Sequence, residues 1–149
     1  MKLAQLIEAK ELFSGPDMDW VHFFVDAQQK VLTRLNRKYG HPACGRHRCT
    51  FSSKAVVIKV PLNQGGVAAN SREYQLWKEQ VAQGYSDPRE IRYSRSRIIY
   101  VHDLPLLVMQ KLDIARSYEQ GPMPDWAGWV DCGQVGKDKR GNWRAYDFA

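Results

Sequence analysis

A lysine stands inside the stretch of the chain best suited to a buried strand, Val56-Val57-Ile58-Lys59-Val60. β-Branched residues favour a pleated, packed surface, so this run predicts a strand with apolar neighbours around a single cation. An ammonium in that setting is costly unless an acid or an anion meets it. The nearby candidate is Glu73, on a helix predicted from Asn70 to about Gln83. Asn70-Ser71-Arg72-Glu73 also has the spacing of a capping box, in which Glu73 reaches back to the helix start instead of to Lys59. At the level of sequence both readings stand.

Hydrophobic periodicity supplies the surrounding elements. A short helix is predicted over Lys2 to Phe13, stopped by Ser14-Gly15-Pro16. A second helix, capped by Asp17, carries Trp20, Phe24, Ala27, Val31 and Leu35 on one face and ends near Tyr39-Gly40. Cys49 to Pro61 reads as a hairpin around a Ser-Ser-Lys turn, and Gln64-Gly65-Gly66 as a loop. The Asn70 helix places Tyr74, Trp77 and Val81 in an inward stripe and stops at Gly84. Arg97 to Val101 and Pro105 to Met109 form a second hairpin, a short helix fits Ile114 to Gln120, and a further helical turn fits Asp125 to Val130. The closing segment is a hairpin about Lys137-Asp138-Lys139-Arg140-Gly141.

These elements predict an α+β fold with a mostly antiparallel sheet. The 149 residues suffice for one domain, organised as N-terminal helices (1–39), a sheet-and-helix lobe (40–113) and a closing segment (114–149). Apolar residues at 44% and charged residues at 26% predict an ordered globular chain. No apolar run reaches the roughly 18 residues of a membrane span, and acids inside MKLAQLIEAKELF argue against a secretory signal. The expectation is a cytoplasmic protein whose three cysteines are reduced and form no disulfide.

The order of the motifs resembles the ATP-binding lobe of protein kinases and of their small prokaryotic and phage relatives. The resemblance rests on Val57-Ile58-Lys59-Val60, on Ser71-Arg72-Glu73-Tyr74, on Leu107-Val108-Met109-Gln110-Lys111-Leu112, and on Asp147-Phe148-Ala149. In that family a lysine on the third strand holds the nucleotide phosphates, a helix glutamate orients it, and the Asp of an Asp-Phe-Gly motif binds magnesium. The resemblance therefore implies ATP and Mg2+ as ligands, with Lys59 on the phosphates, Glu73 as its partner and Asp147 on the metal. It implies a hinge at Met109 to Lys111, Asp131 as the catalytic acid and Gln134 where a metal-binding Asn is expected. In place of the family's glycine-rich loop, Arg46 and Arg48 could supply charge to the phosphates.

Several features depart from the family. Gly40-His41-Pro42-Ala43-Cys44-Gly45-Arg46-His47 lacks the G-x-G-x-x-G spacing, and Asp131 and Gln134 stand closer together than their counterparts. The family's activation segment and helical lobe would follow Ala149. ATP-dependent phosphoryl transfer is thus one reading, and a degenerate pseudokinase that binds a nucleotide or engages and inhibits a protein partner is the one these departures favour.

Two other chemistries compete. His41, Cys44, His47 and Cys49 offer four potential zinc ligands, but one short stretch closes a tetrahedral site only with strain, which argues against zinc. The formal charge of +6 and pI near 9.3 suit an anionic partner. Arg89, Arg92, Arg95 and Arg97, interleaved with Tyr85 and Tyr93, could join phosphate contact to base stacking in a nucleic-acid-binding module.

Overall fold

The structure is a computed structural model that describes residues 18–84, 87, 89–114, 121–130 and 134–147. The predicted helix over Lys2 to Phe13, most of the one over Ile114 to Gln120, and Tyr85 lie outside the described residues. The described chain is α+β. A helix α1 (Met18–Tyr39) is followed by strands β1 (Ala43–Cys44), β2 (Arg48–Ser52) and β3 (Val56–Pro61), then helix α2 (Gln64–Gln83). Strands β4 (Ser96–Val101) and β5 (Leu104–Gln110) complete the sheet, and β6 (Val135–Lys137) and β7 (Trp143–Ala145) form a separate hairpin after a 3-10 turn at Asp125–Trp129.

The five-stranded sheet runs β1-β2-β3-β5-β4 with every neighbouring pair antiparallel. Its alternation sorts the side chains onto two faces. Cys49, Phe51, Ile58, Val60, Leu104, Leu106 and Val108 point to one face and receive Phe24, Ala27 and Val31 of α1, whose spacing of three and four makes one buried stripe. Gly40, at φ +81°, ends that helix, its amide returning to the Asn36 carbonyl at 2.9 Å. The opposite face presents Arg48, Lys59, Leu107 and Met109 and is covered by α2. Because β5 is covered on both faces, Leu104 to Met109 are all buried.

The two-residue turn between β4 and β5 places both His102 and Asp103 at positive φ, as a hairpin of primed type requires. A second small core gathers Trp126, Ala127, Val130, Val135 and Ala145, with Ile91, Tyr93 and Trp143 packed against it. The β6–β7 hairpin joins the main body through backbone pairing of Ala145 with Arg92 and Ser94, and of Lys137 with Asp113.

Two expectations from the sequence are corrected here. Cys44 and Cys49 form a disulfide, because the β1–β2 register sets them directly opposite one another. Helix α2 begins at Gln64 with Asn63 as its cap, not at Asn70, so Gly65-Gly66 is helical and not a loop. The cause is tertiary. The His47 carbonyl and Pro61 lie so close to Gly66 that a side chain there would collide with both, so the glycines let the helix start pack under the β1–β2 turn.

Candidate functional site

The face of the sheet under α2 carries a buried ionic cluster assembled from four parts of the chain. Strand β2 contributes Arg48 and β3 contributes Lys59, side by side on that face because Arg48 pairs with Pro61 and Thr50 with Lys59. Helix α2 contributes Asn70 and Glu73, three residues apart and so on one face. Tyr146 and Asp147 follow β7 and close the cluster.

Glu73 is its centre. Its side chain is fully buried, with Oε1 accepting from Arg48 Nη1 at 2.7 Å and Oε2 accepting from Lys59 Nζ at 2.8 Å. Lys59, 5% exposed, also donates to the Tyr146 carbonyl at 2.7 Å and to Asp147 Oδ1 at 3.5 Å. Its three donors thus have three acceptors. Arg48 Nη2 reaches the same Asp147 oxygen at 2.7 Å, and Asp147, 43% exposed, is the member most open to solvent. Two cations face two carboxylates, so the cluster is formally neutral, the condition under which buried charge is tolerated.

Asn70 anchors the helix over this site. The β3–β5 pairing ends at Lys59 and Leu107, and just beyond it Asn70 Nδ2 donates to the carbonyls of Lys59 and Pro105, both at 3.1 Å. Its Oδ1 accepts from Arg48 Nη1 at 3.4 Å. Asn70 is therefore a mid-helix hydrogen-bonding residue and not a cap, which removes the capping-box reading of Glu73. Sequence reasoning gave neither Asn70 nor the joint grip of Arg48 on Glu73 and Asp147. The available signal was the period of buried polar and small residues Gly66, Asn70, Glu73 and Gln80 along α2.

Of the residues singled out from sequence, Arg48, Lys59, Glu73 and Asp147 are brought together. Gln134 lies next to them in the backbone, its carbonyl accepting from the Tyr146 amide at 3.1 Å. Its buried Oε1 has no hydrogen-bond partner among the described residues. Asp131 lies outside the described residues. Arg46 is exposed in the β1–β2 turn, where its carbonyl accepts from Asn63. Met109 is buried on β5, and Lys111 extends to the Ser53 carbonyl at 2.8 Å.

The β1–β2 turn sits against the start of α2, held by the Leu62 amide on the His47 carbonyl and by a hydrogen bond between His47 Nδ1 and Asn63 Oδ1 at 3.0 Å. Of the four potential zinc ligands in this segment, Cys44 and Cys49 are bonded to each other. Among the described residues no group of three or more His, Cys, Asp or Glu is arranged to hold a metal ion. No described helix is long and apolar enough to cross a membrane.

No family model matches the chain, and neither a curated protein nor a solved structure matches it.

Proposed function

We propose that this chain is a nucleotide-binding module of kinase-like design, working as a pseudokinase. The observation that carries the reading is the convergence of Lys59 on the third strand, Glu73 on the helix that follows and Asp147 near the end of the described chain. A lysine held by an internal glutamate is oriented before a ligand arrives, so a phosphate meets a fixed donor at little ordering cost. Asp147 is the carboxylate that solvent reaches, and a magnesium ion entering with nucleotide phosphates needs one or two carboxylates from the protein. The donor set fits a metal carried by the nucleotide, with Asp147 as its protein ligand. Magnesium would supply charge neutralisation between the phosphates and that carboxylate.

In the cluster as it stands, Asp147 occupies Arg48 and Lys59. Nucleotide binding would then be an anion exchange, in which phosphate would replace the Asp147 carboxylate on Arg48 and Lys59 and free that carboxylate to hold a metal. The test is a thermal-shift titration with ATP, with and without magnesium. Wild type should be stabilised by about 2.7 kcal/mol at a hundredfold excess over Kd, and Lys59→Met should lose the response. Asp147→Asn should bind with no dependence on magnesium. A wild-type midpoint that is unmoved by ATP and magnesium defeats the proposal.

A further inference from the structure

A groove of about 1040 Å3 is bounded by α2, the β4–β5 hairpin and the β6–β7 turn, and has Met109, on the same face of the sheet as the ionic cluster, in its lining. Lys59, Glu73 and Arg48 do not line it. We propose that this groove binds a segment of single-stranded nucleic acid.

Three features point to that ligand. The first is aromatic. Tyr74 and Trp77, expected from sequence to face inward, instead line the groove as half-buried rings with centroids 6.3 Å apart, and Tyr93 lines it from the segment before β4. Half-exposed rings offer faces to bases of any identity. The second is charge. Arg95, Arg97, Lys139 and Arg140 are exposed along the rim. The one carboxylate in the lining, Asp138, is already bonded to Arg144 at 3.3 Å, so the remaining field is positive. The third is an unmet hydrogen-bonding group. Ser96 lines the groove, is 4% exposed, and its Oγ has no partner among the described residues. A buried hydroxyl normally has a partner, and this one stands in the wall of the groove without one among the described residues.

Two rows of the fold create this arrangement. Helix α2 turns its polar stripe to the sheet and so leaves Tyr74, Trp77 and Val81 on its other flank. The turn between β6 and β7 brings Lys139 and Arg140 into one lining with Arg95 and Arg97, residues far apart in sequence. Aromatic faces favour bases over an acidic peptide, which would use the cations and leave the rings idle.

The test is fluorescence anisotropy of the whole chain with labelled oligo-dT and oligo-rU of about 12 nucleotides, across a salt series. Four phosphate contacts predict a slope of log K on log salt near −3, from about −0.7 per contact for single strands. Trp77→Ala should weaken binding on the order of 10-fold while Trp77→Phe retains it, the pair separating stacking from loss of fold. Combined R95S, R97S, K139S and R140S should abolish binding, whereas R34S, R37S and K38S on α1 should not. Saturating ATP with magnesium should leave it unchanged, so this site and the nucleotide site fail independently. Absent binding, equal loss from the α1 variant, equal competition by polyglutamate, or saturation of the groove by free ATP would each overturn the proposal.

Discussion

Glu73 holds two cations with one carboxylate and has no solvent to share the work. Removing it leaves Arg48 and Lys59 with the partly exposed Asp147 as the one carboxylate of the cluster. A broken buried pair costs about 3 to 5 kcal/mol, because the stranded charge is penalised as well as the lost bonds. Glu73→Ala should therefore lower stability by that amount in urea unfolding. Asp147→Ala, at a half-exposed position, should cost about 1 kcal/mol. Equal losses from the two variants would show that burial does not govern the cluster. The Lys59–Glu73 pair was visible in sequence for a simple reason: one cation inside a β-branched run demands an anion, and few acids follow it closely. Asn70 was not visible, since the same letters spell a helix cap, and only the position of the Lys59 and Pro105 carbonyls decides between the two uses.

Helix α2 illustrates what periodicity misses. Its buried stripe is Gly66, Asn70, Glu73 and Gln80, with Gln80 bonded on both ends of its amide to Ile91 and Tyr93. A stripe of polar residues gives no hydrophobic signal, so the apolar residues Tyr74, Trp77 and Val81 suggest the wrong inward face. The strands were legible because their alternation and β-branched content follow local preference. The β1–β2 pairing and its disulfide were not, since register in a two-residue strand has no pattern to set it. The β6–β7 hairpin carries its own pH sensitivity. Burial disfavours the charged form of Asp138, but bonds from the Asn142 and Arg140 amides and from the Arg144 and Asn142 side chains outweigh it and hold the carboxyl below its usual value. A carboxyl lowered in the folded state contributes stability that is present above its unfolded pKa and lost as pH falls through the folded one. Acidification below about pH 4 should loosen this hairpin, read as faster amide exchange at Arg140 and Asn142, and Asp138→Asn should remove the pH dependence.

At the scale of the molecule, the sheet is covered on one face by apolar packing with α1 and on the other by charge and hydrogen bonding with α2. The two faces respond to different conditions: salt and pH act on the second, while apolar burial governs the first. The disulfide sits at the edge of this arrangement and holds the turn from which Arg48 enters the cluster. Labelling the denatured, unreduced protein should modify Cys132 alone, and reduction should expose all three cysteines. Closing so short a loop contributes on the order of 2 kcal/mol, so reduction should lower the unfolding midpoint without unfolding the chain at room temperature.

Arg48, Lys59 and Glu73 are separated by no more than 25 positions, whereas Asp147 joins Arg48 across 99. During synthesis the first three emerge together, and the fourth follows 74 residues after Glu73, about 4 to 15 s later at usual elongation rates. Without Asp147 the cluster would hold two cations and one carboxylate, a site of net positive charge that would favour an anion.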